Sequence, residues 1–204
     1  MSDTNGITLE TYDRAVASYV ENTPQTVLGG NKKWLDALFS NVPYDAAILE
    51  IGSGAGRDAD YIEGLGYDVE RTDGSEGFVS YLKSKGKSAR KLNMLTDEIE
   101  SNSYDVMFAN GVLLHFNEHE IEQALKKIHS GLREAGIFGF SLIEGEGENI
   151  ETKKLSSERY FRYWTEENLR MLLSSLSFRV VEIKLDEATN GKRWLMVITK
   201  KETV

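Results

Sequence analysis

The segment Ile48-Leu49-Glu50-Ile51-Gly52-Ser53-Gly54-Ala55-Gly56-Arg57-Asp58 carries the densest chemical signal in the chain. An apolar, strand-like run ends in alternating glycines, and a helical stretch follows. Without a Cβ, Gly52, Gly54 and Gly56 let the backbone approach a ligand closely. In an open α/β sheet that ligand lies beyond the carboxyl ends of the strands. Two ligand classes compete for such a loop. Gly54-Ala-Gly56-Arg-Asp-Ala59 satisfies the G-x-G-x-x-G/A expression of a dinucleotide site, which seats a pyrophosphate on a helix N-terminus. The whole segment fits acid–x–G–x–G–x–G better, with the acid, Glu50, inside the strand end.

Composition narrows the remaining chemistry. Among 204 residues there is no cysteine, which removes disulfides, zinc–thiolate sites, iron–sulfur clusters and a cysteine nucleophile. The 3 histidines show no H-E-x-x-H spacing, so no zinc or other metal site is expected. With 24 Lys+Arg against 33 Asp+Glu, the net charge is −9, a poor match to a nucleic-acid partner that demands a basic face. The charge is unevenly placed. From Lys153 onward, 11 Lys+Arg meet 7 Asp+Glu, a balance of +4, whereas the preceding residues carry 13 against 26, or −13. No apolar run approaches the roughly 20 residues of a membrane span. Met-Ser-Asp-Thr-Asn at the start lacks the basic and apolar regions of a signal peptide, so a soluble, cytoplasmic protein without a membrane partner is expected.

The elements that must position these residues follow from periodicity. Leu9, Tyr12, Val16, Tyr19 and Val20 share one helical face, and Trp34, Leu35, Leu38 and Phe39 another. After Pro43, strand-like runs occur at 46–51, 67–73, 89–94, 104–110 and 136–143, with helical stretches between most of them. The clearest helix covers 118–134: Ile121, Ala124, Leu125, Ile128 and Leu132 form its stripe, and Asn117 with Glu120 resembles a capping box. A last helix at 165–175 carries Leu169, Leu172 and Leu173 on one side. Strands at 178–185 and 194–199 then flank Asn190-Gly191, a strong hairpin signal. Strand–helix alternation requires crossovers. The expected fold is therefore α/β: a single doubly wound, mainly parallel sheet of about seven strands, helices on both faces, ending in an antiparallel hairpin. As one domain, it divides into a helical cap (1–42), a cofactor-binding core (43–143), an acceptor-side loop and helix (144–175) and a terminal hairpin (176–204).

The glycine segment resembles the cofactor loop of class I S-adenosylmethionine-dependent methyltransferases, and the resemblance extends over most of the chain. It implies a Rossmann-like methyltransferase fold, with S-adenosyl-L-methionine as cofactor and S-adenosyl-L-homocysteine as product. Asp73, in Asp73-Gly74-Ser75 after the second strand, sits where that family holds both ribose hydroxyls. Asn93-Met94-Leu95 ends the third strand, where the family contacts adenine, usually through an Asp; the Asn93 amide oxygen is expected to accept from the adenine amine. Asn110 and Gly111, after the fourth strand, flank the methionine part. Glu50 suits the ammonium group of the methionine moiety, directly or through water, and Arg57 either answers its carboxylate or is a solvated helix charge. Tyr12 and Tyr19 lie on a helix that in this family often closes over the cofactor.

On the acceptor side, His115 is the candidate base, because its loop follows the fourth strand near the expected methyl position. Residues 144–148, Glu-Gly-Glu-Gly-Glu, read as a mobile acidic loop. Arg159, Tyr160, Arg162 and Tyr163 fall where the family builds its acceptor pocket, and with Tyr19 they are the expected acceptor residues, the arginines for an anionic group. No Asn-Pro-Pro-aromatic motif follows the fourth strand, which disfavours amide and nucleobase-amine acceptors. The missing cysteine excludes cytosine-carbon methylation through a thiolate adduct. A small-molecule acceptor bearing a carboxylate or phosphate fits best. Two alternatives stand beside it: an NAD(P)-binding oxidoreductase, and a non-catalytic cofactor-binding or partner-binding domain. Monomer and homodimer are both compatible with the sequence.

Overall fold

A computed structural model describes residues 4–152, 155, 157–188 and 191–202. The chain opens with α1 (Thr4–Glu21), kinked at Ala15, and α2 (Gly29–Phe39). The core then alternates β1 (Ile48–Ile51), α3 (Arg57–Gly64), β2 (Glu70–Asp73), α4 (Glu76–Ser84), β3 (Arg90–Lys91), β4 (Tyr104–Ala109), α5 (Glu118–Gly131) and β5 (Leu132–Ile143). After it come β6 (Glu148–Glu151), β7 (Arg159–Arg162), α6 (Glu166–Ser175), β8 (Phe178–Glu187) and β9 (Arg193–Lys201). Among the described residues, seven strands form one sheet in the order β3-β2-β1-β4-β5-β9-β8. Its first five members pair in parallel, and β9 joins antiparallel to both β5 and β8. This is the expected doubly wound sheet with its terminal hairpin; of the Asn190-Gly191 turn, Asn190 lies outside the described residues.

Strand alternation supplies both faces of the core. On β4, Met107 and Ala109 pack toward α5 and α6, where Ile121, Leu125, Ile128, Leu169 and Leu173 are buried, while Val106 and Phe108 point to Trp34, Leu35, Leu38 and Ile62 of α2 and α3. Each fully buried aliphatic side chain contributes about 1.5–3 kcal/mol relative to exposure. The capping box at α5 is complete: the Asn117 side chain accepts from the Glu120 amide, and Glu120 from the Asn117 amide.

Two expectations change. The acidic stretch does not run on as a loop, because Glu148 opens β6, which pairs antiparallel with β7 in a separate two-stranded sheet. Glu148-Asn-Ile-Glu lacks the apolar alternation that announces a strand. The second change concerns α1, whose buried positions are Thr4, Asn5, Thr8 and Thr11; the apolar face of Leu9, Tyr12 and Tyr19 is only half-buried. Hydrogen bonds fasten this helix: Thr4 Oγ1 donates to Glu120 (2.6 Å), Asn5 Nδ2 to Asn93 Oδ1 (3.1 Å) and Thr11 Oγ1 to the Glu158 carbonyl (2.6 Å). Asp13 accepts from Ser75 Oγ (2.6 Å) and the Gly77 amide (3.0 Å), tying α1 to the start of α4.

Candidate active site

The carboxyl ends of β1, β2 and β4 converge under α1 on a cavity. Tyr12, Tyr19, Gly52, Gly54, Asp73, Gly74, Asn93, Met94, Asn110, Gly111 and His115, all singled out from sequence, line it. Gly52 has φ +72°, and a Cβ there would stand 2.4 Å from Val112 Cγ2, so the loop's conformation and its approach to the β4 loop both exclude a side chain. Asp73 is the cavity's anion. Its Oδ2 accepts the Gly54 amide and its Oδ1 the Ser75 amide, both at 2.8 Å. Each oxygen retains a lone pair, so two further hydroxyl donors can be accepted. Burial pushes this carboxyl up to about 6, against the pull of the two amides.

Glu50 is buried just outside the cavity lining, with Oε2 lacking a hydrogen-bond partner among the described residues; Ser53 Oγ beside it is equally unpartnered. Burial, reinforced by Asp58, raises the Glu50 carboxyl to about 8. Two orphaned polar atoms under a glycine loop suit a ligand that brings a cation and hydrogen-bond donors there. At the other end, Asn93 Oδ1 is taken by the Leu95 amide (3.0 Å) and Asn5 Nδ2 (3.1 Å). The oxygen expected to receive an adenine amine is thus engaged, and the backbone N–H of Asn93 donates to Asp97 (2.9 Å), so what Asn93 offers a base is its side-chain Nδ2–H. Gly56 and Ser75 do not line the cavity: Gly56 sets the left-handed turn into α3 (φ +86°), and the Ser75 side chain caps α4. Leu95 also lies outside the lining; its amide donates to Asn93 and its carbonyl accepts from Lys127.

A second, larger cavity adjoins the first and shares Tyr12, Tyr19, Asn110, Gly111 and His115 with it. Asn110 is pinned at this junction, donating to Asp58 (2.6 Å) and Asn31 (2.9 Å) and accepting from Ser141 Oγ (2.6 Å). Arg57, which lines the second cavity, is bound to Asp58 at 2.7 and 3.1 Å rather than solvated. His115 does not present a free base. Its Nδ1 lies 2.7 Å from the Tyr160 carbonyl, which only accepts, so Nδ1 carries the proton and Nε2 accepts from the Tyr12 hydroxyl at 2.8 Å. Burial, aided by Arg159 and Lys192, drives this imidazole down to about 3. Burial likewise raises the Tyr12 phenol well above its ordinary value.

Of the expected acceptor residues, Arg159 and Tyr19 line the second cavity, whereas Tyr160, Arg162 and Tyr163 do not. The reason is the period of two along β7. Arg159 and Phe161 face the cavity; Tyr160 and Arg162 turn away, Tyr160 donating to Glu148 (2.6 Å) and Arg162 to Glu118 (2.9 Å). Tyr163, beyond the strand, packs against Gly145. Sequence reasoning missed Asn5, Thr8, Phe78, Glu151, Phe161, Lys192 and Trp194 in the two linings. For Asn5 and Thr8 a signal existed, the helical spacing of small polar residues at 4, 5, 8 and 11. Among the described residues no cluster of His, Asp and Glu is arranged to hold a metal ion, and no helix is long and apolar enough to cross a membrane.

Residues 49–140, which hold the glycine loop, Asp73, Asn93 and Asn110, match the methyltransferase domain family. That core is a methyltransferase domain. Over 102 residues the chain is 26% identical to a probable S-adenosyl-L-methionine-dependent methyltransferase, TehB, of Haemophilus influenzae, a match covering 47% of this chain and 34% of that protein. The chain thus spans about a third of the length of the curated relatives it matches. Among solved structures, the methyltransferase domain and its flanking elements resemble the 1,6-didemethyltoxoflavin-N1-methyltransferase of Burkholderia thailandensis, with bound 1,6-didemethyltoxoflavin and S-adenosylhomocysteine (TM-score 0.72, 21% identity, 95% of this chain and 85% of that one). They also resemble the CcbJ methyltransferase of Streptomyces caelestis (TM-score 0.71, 15% identity, 94% and 98% of the two chains). The [4+2]-cyclase SpnF is similar as well (TM-score 0.74, 12% identity, 100% and 97%). At these identities the likeness to solved structures establishes the fold.

Proposed function

We propose that the protein transfers a methyl group from S-adenosylmethionine to a small-molecule acceptor by in-line displacement between the two cavities. The observation that carries this reading is the junction: a cavity built on Asp73 and the glycine loop opens through Tyr12, Asn110, Gly111 and His115 into a second, larger cavity. In the first, Asp73 holds two ribose hydroxyls, Asn93 donates to the base, and Met94 and Phe78 supply apolar contact. Glu50 answers the ammonium group from beneath the loop, directly or through water. When bound, the cofactor supplies a methyl group activated by a sulfonium.

The chain's own residues then have mainly to align donor and acceptor and to exclude water. Tyr12 is held from two sides, donating to His115 and accepting from Arg159 at 3.3 Å, so the junction wall is fixed before an acceptor arrives. His115 is a positioning residue in this scheme: its one lone pair is committed to Tyr12. The acceptor atom therefore arrives already deprotonated, or loses its proton to water after transfer.

Incubation with methyl-labelled S-adenosylmethionine and a metabolite extract tests the proposal, with label expected in a small molecule. Binding of S-adenosylhomocysteine without any labelled product would favour a protein that keeps the cofactor site without methyl transfer, a reading to which SpnF lends weight as a cyclase on this fold. Tight binding of NADH with no response to S-adenosylhomocysteine would overturn both in favour of the dinucleotide reading.

A further inference from the structure

The second cavity contains a buried cation that is short of partners. Arg159 is only 4% exposed. One terminal nitrogen donates to the Tyr12 hydroxyl at 3.3 Å, the other stands 4.0 Å from Glu151, and Nε has no hydrogen-bond partner among the described residues. A guanidinium carries five N–H donors, and burying it with so few acceptors is costly unless something else completes the set. The guanidinium carbon Cζ also lies over the Phe161 ring, 4.9 Å from its centroid. Lys192 comes from the other wall. Its Nζ donates to Glu151 at 3.1 Å and stands 5.3 Å from Phe161. Glu151 is thus shared between Arg159 and Lys192.

Resting on the methyl-transfer reading, we infer that the acceptor is a carboxylate-bearing small molecule whose carboxylate docks on Arg159, displacing Glu151 toward Lys192. Three features set the class. The planar fork of an arginine matches a carboxylate through two parallel hydrogen bonds. Asp186 and Glu151 line the same cavity and oppose a dianionic phosphate more than a monoanion, and the third cation, Arg57, is already bound to Asp58. Leu114, Ile143, Phe161 and Trp194 provide an apolar and aromatic surround for the body of the ligand. Because Arg159 touches Tyr12 at the junction, the carboxylate lies beside the atom that receives the methyl group.

The test uses benzoate, its neutral counterpart benzamide, and phenyl phosphate as probes. Their binding to the protein saturated with S-adenosylhomocysteine is followed by ligand-observed NMR. Benzoate should bind about tenfold more tightly than benzamide, and Arg159→Gln should lose about tenfold or more of the benzoate affinity. Glu151→Gln removes the competing carboxylate and should tighten benzoate by roughly three- to tenfold. This gain keeps the inference testable should Arg159→Gln fail to fold. Equal affinity for benzoate and benzamide, tighter binding of phenyl phosphate, or an unchanged benzoate affinity in Glu151→Gln would each overturn it. S-adenosylhomocysteine binding is measured first by calorimetry. Its absence defeats the methyl-transfer reading, whereas its presence with no preference for benzoate defeats the carboxylate inference alone.

Discussion

Asp73→Asn is the most discriminating single substitution in the donor cavity. The wild-type carboxylate accepts one backbone amide on each oxygen, from Gly54 and Ser75 at 2.8 Å, and keeps one lone pair per oxygen for a ligand. An amide in its place retains one oxygen and sets an NH₂ group against one of those N–H donors. A ribose then loses one charged hydrogen bond outright and keeps a weaker neutral one. At about 1.5–3 kcal/mol for a bond to a charged group, the loss comes to roughly 2–4 kcal/mol, or about 30- to 1,000-fold in affinity. Calorimetry with adenosine and with 2′-deoxyadenosine isolates the ribose contribution from Glu50 and the rest of the methionine site. Wild type should prefer adenosine, and Asp73→Asn should lose that preference. A pH series adds an independent check. With the Asp73 carboxyl near 6, its ionised fraction rises from about one-eleventh at pH 5 to ten-elevenths at pH 7, so adenosine affinity should rise about tenfold in wild type and stay flat in Asp73→Asn. A variant that binds adenosine within threefold of wild type and still discriminates the deoxy compound would show that Asp73 does not hold a ribose.

Three further perturbations follow from the same geometry. Tyr12→Phe strands the buried His115 Nε2 and removes an acceptor from Arg159, so urea unfolding should register a loss of about 1–3 kcal/mol. Gly52→Ala puts a Cβ at φ +72° and 2.4 Å from Val112; it should destabilise the fold by about 1–3 kcal/mol and displace the loop, with S-adenosylhomocysteine affinity falling alongside in calorimetry. Stability against pH tests the two buried ionisable groups, which act with opposite signs. Glu50, raised to about 8, contributes stability that is present below about 4.5 and lost as pH rises through 8; His115, lowered to about 3, contributes stability present above about 6.5 and lost as pH falls through 3. Glu50→Gln should therefore match wild type in urea at pH 4 and exceed it at pH 9, and equal stabilities at pH 9 would refute the buried-charge account of Glu50.

What the sequence disclosed, and what it hid, divides along the range of the interactions. The sheet was legible because each strand carries its own apolar run, and α5 because Asn117, Glu120 and the Ile121–Ile128 stripe all lie within a few turns of one another. The glycine loop and Asp73 were legible for the same reason: their geometry is set by neighbours in the chain. The second cavity is assembled differently, from Arg57, Glu151, Arg159, Asp186 and Lys192, which meet only once β7 and the terminal hairpin are in place. Its most consequential detail, which residues of 159–163 face inward, depended on β7 being a strand. Arg-Tyr-Phe-Arg has no polar–apolar alternation to say so. His115 shows a further limit: its loop placed it near the junction, but only the Tyr160 carbonyl and the Tyr12 hydroxyl decide what its nitrogens can do.

The uneven charge of the chain acquires a chemical meaning from this arrangement. Among the described residues Asp73 is the only charged one lining the donor cavity, and the acid-rich part of the sequence, balance −13, builds it; the basic remainder, +4, supplies Arg159 and Lys192 to the second cavity. On the proposed reading, a cation is received on one side of the Tyr12 wall and an anion on the other. Where the receiving atom beside the docked carboxylate is itself anionic, transfer from a sulfonium cancels charge as it proceeds, so a buried, poorly solvating junction favours the transition state over the separated ions. A site of that kind has no developing charge to stabilise and no proton to remove when the nucleophile is itself anionic. The residues at the junction are consistent with this demand. Tyr12 has its phenol raised beyond use as a base, His115 is neutral with both nitrogens bonded, and Asn110 is fully satisfied by Asp58, Asn31 and Ser141. The wall between the cavities is built to hold its shape, while Asp73 and Arg159 bring the opposite charges to its two sides.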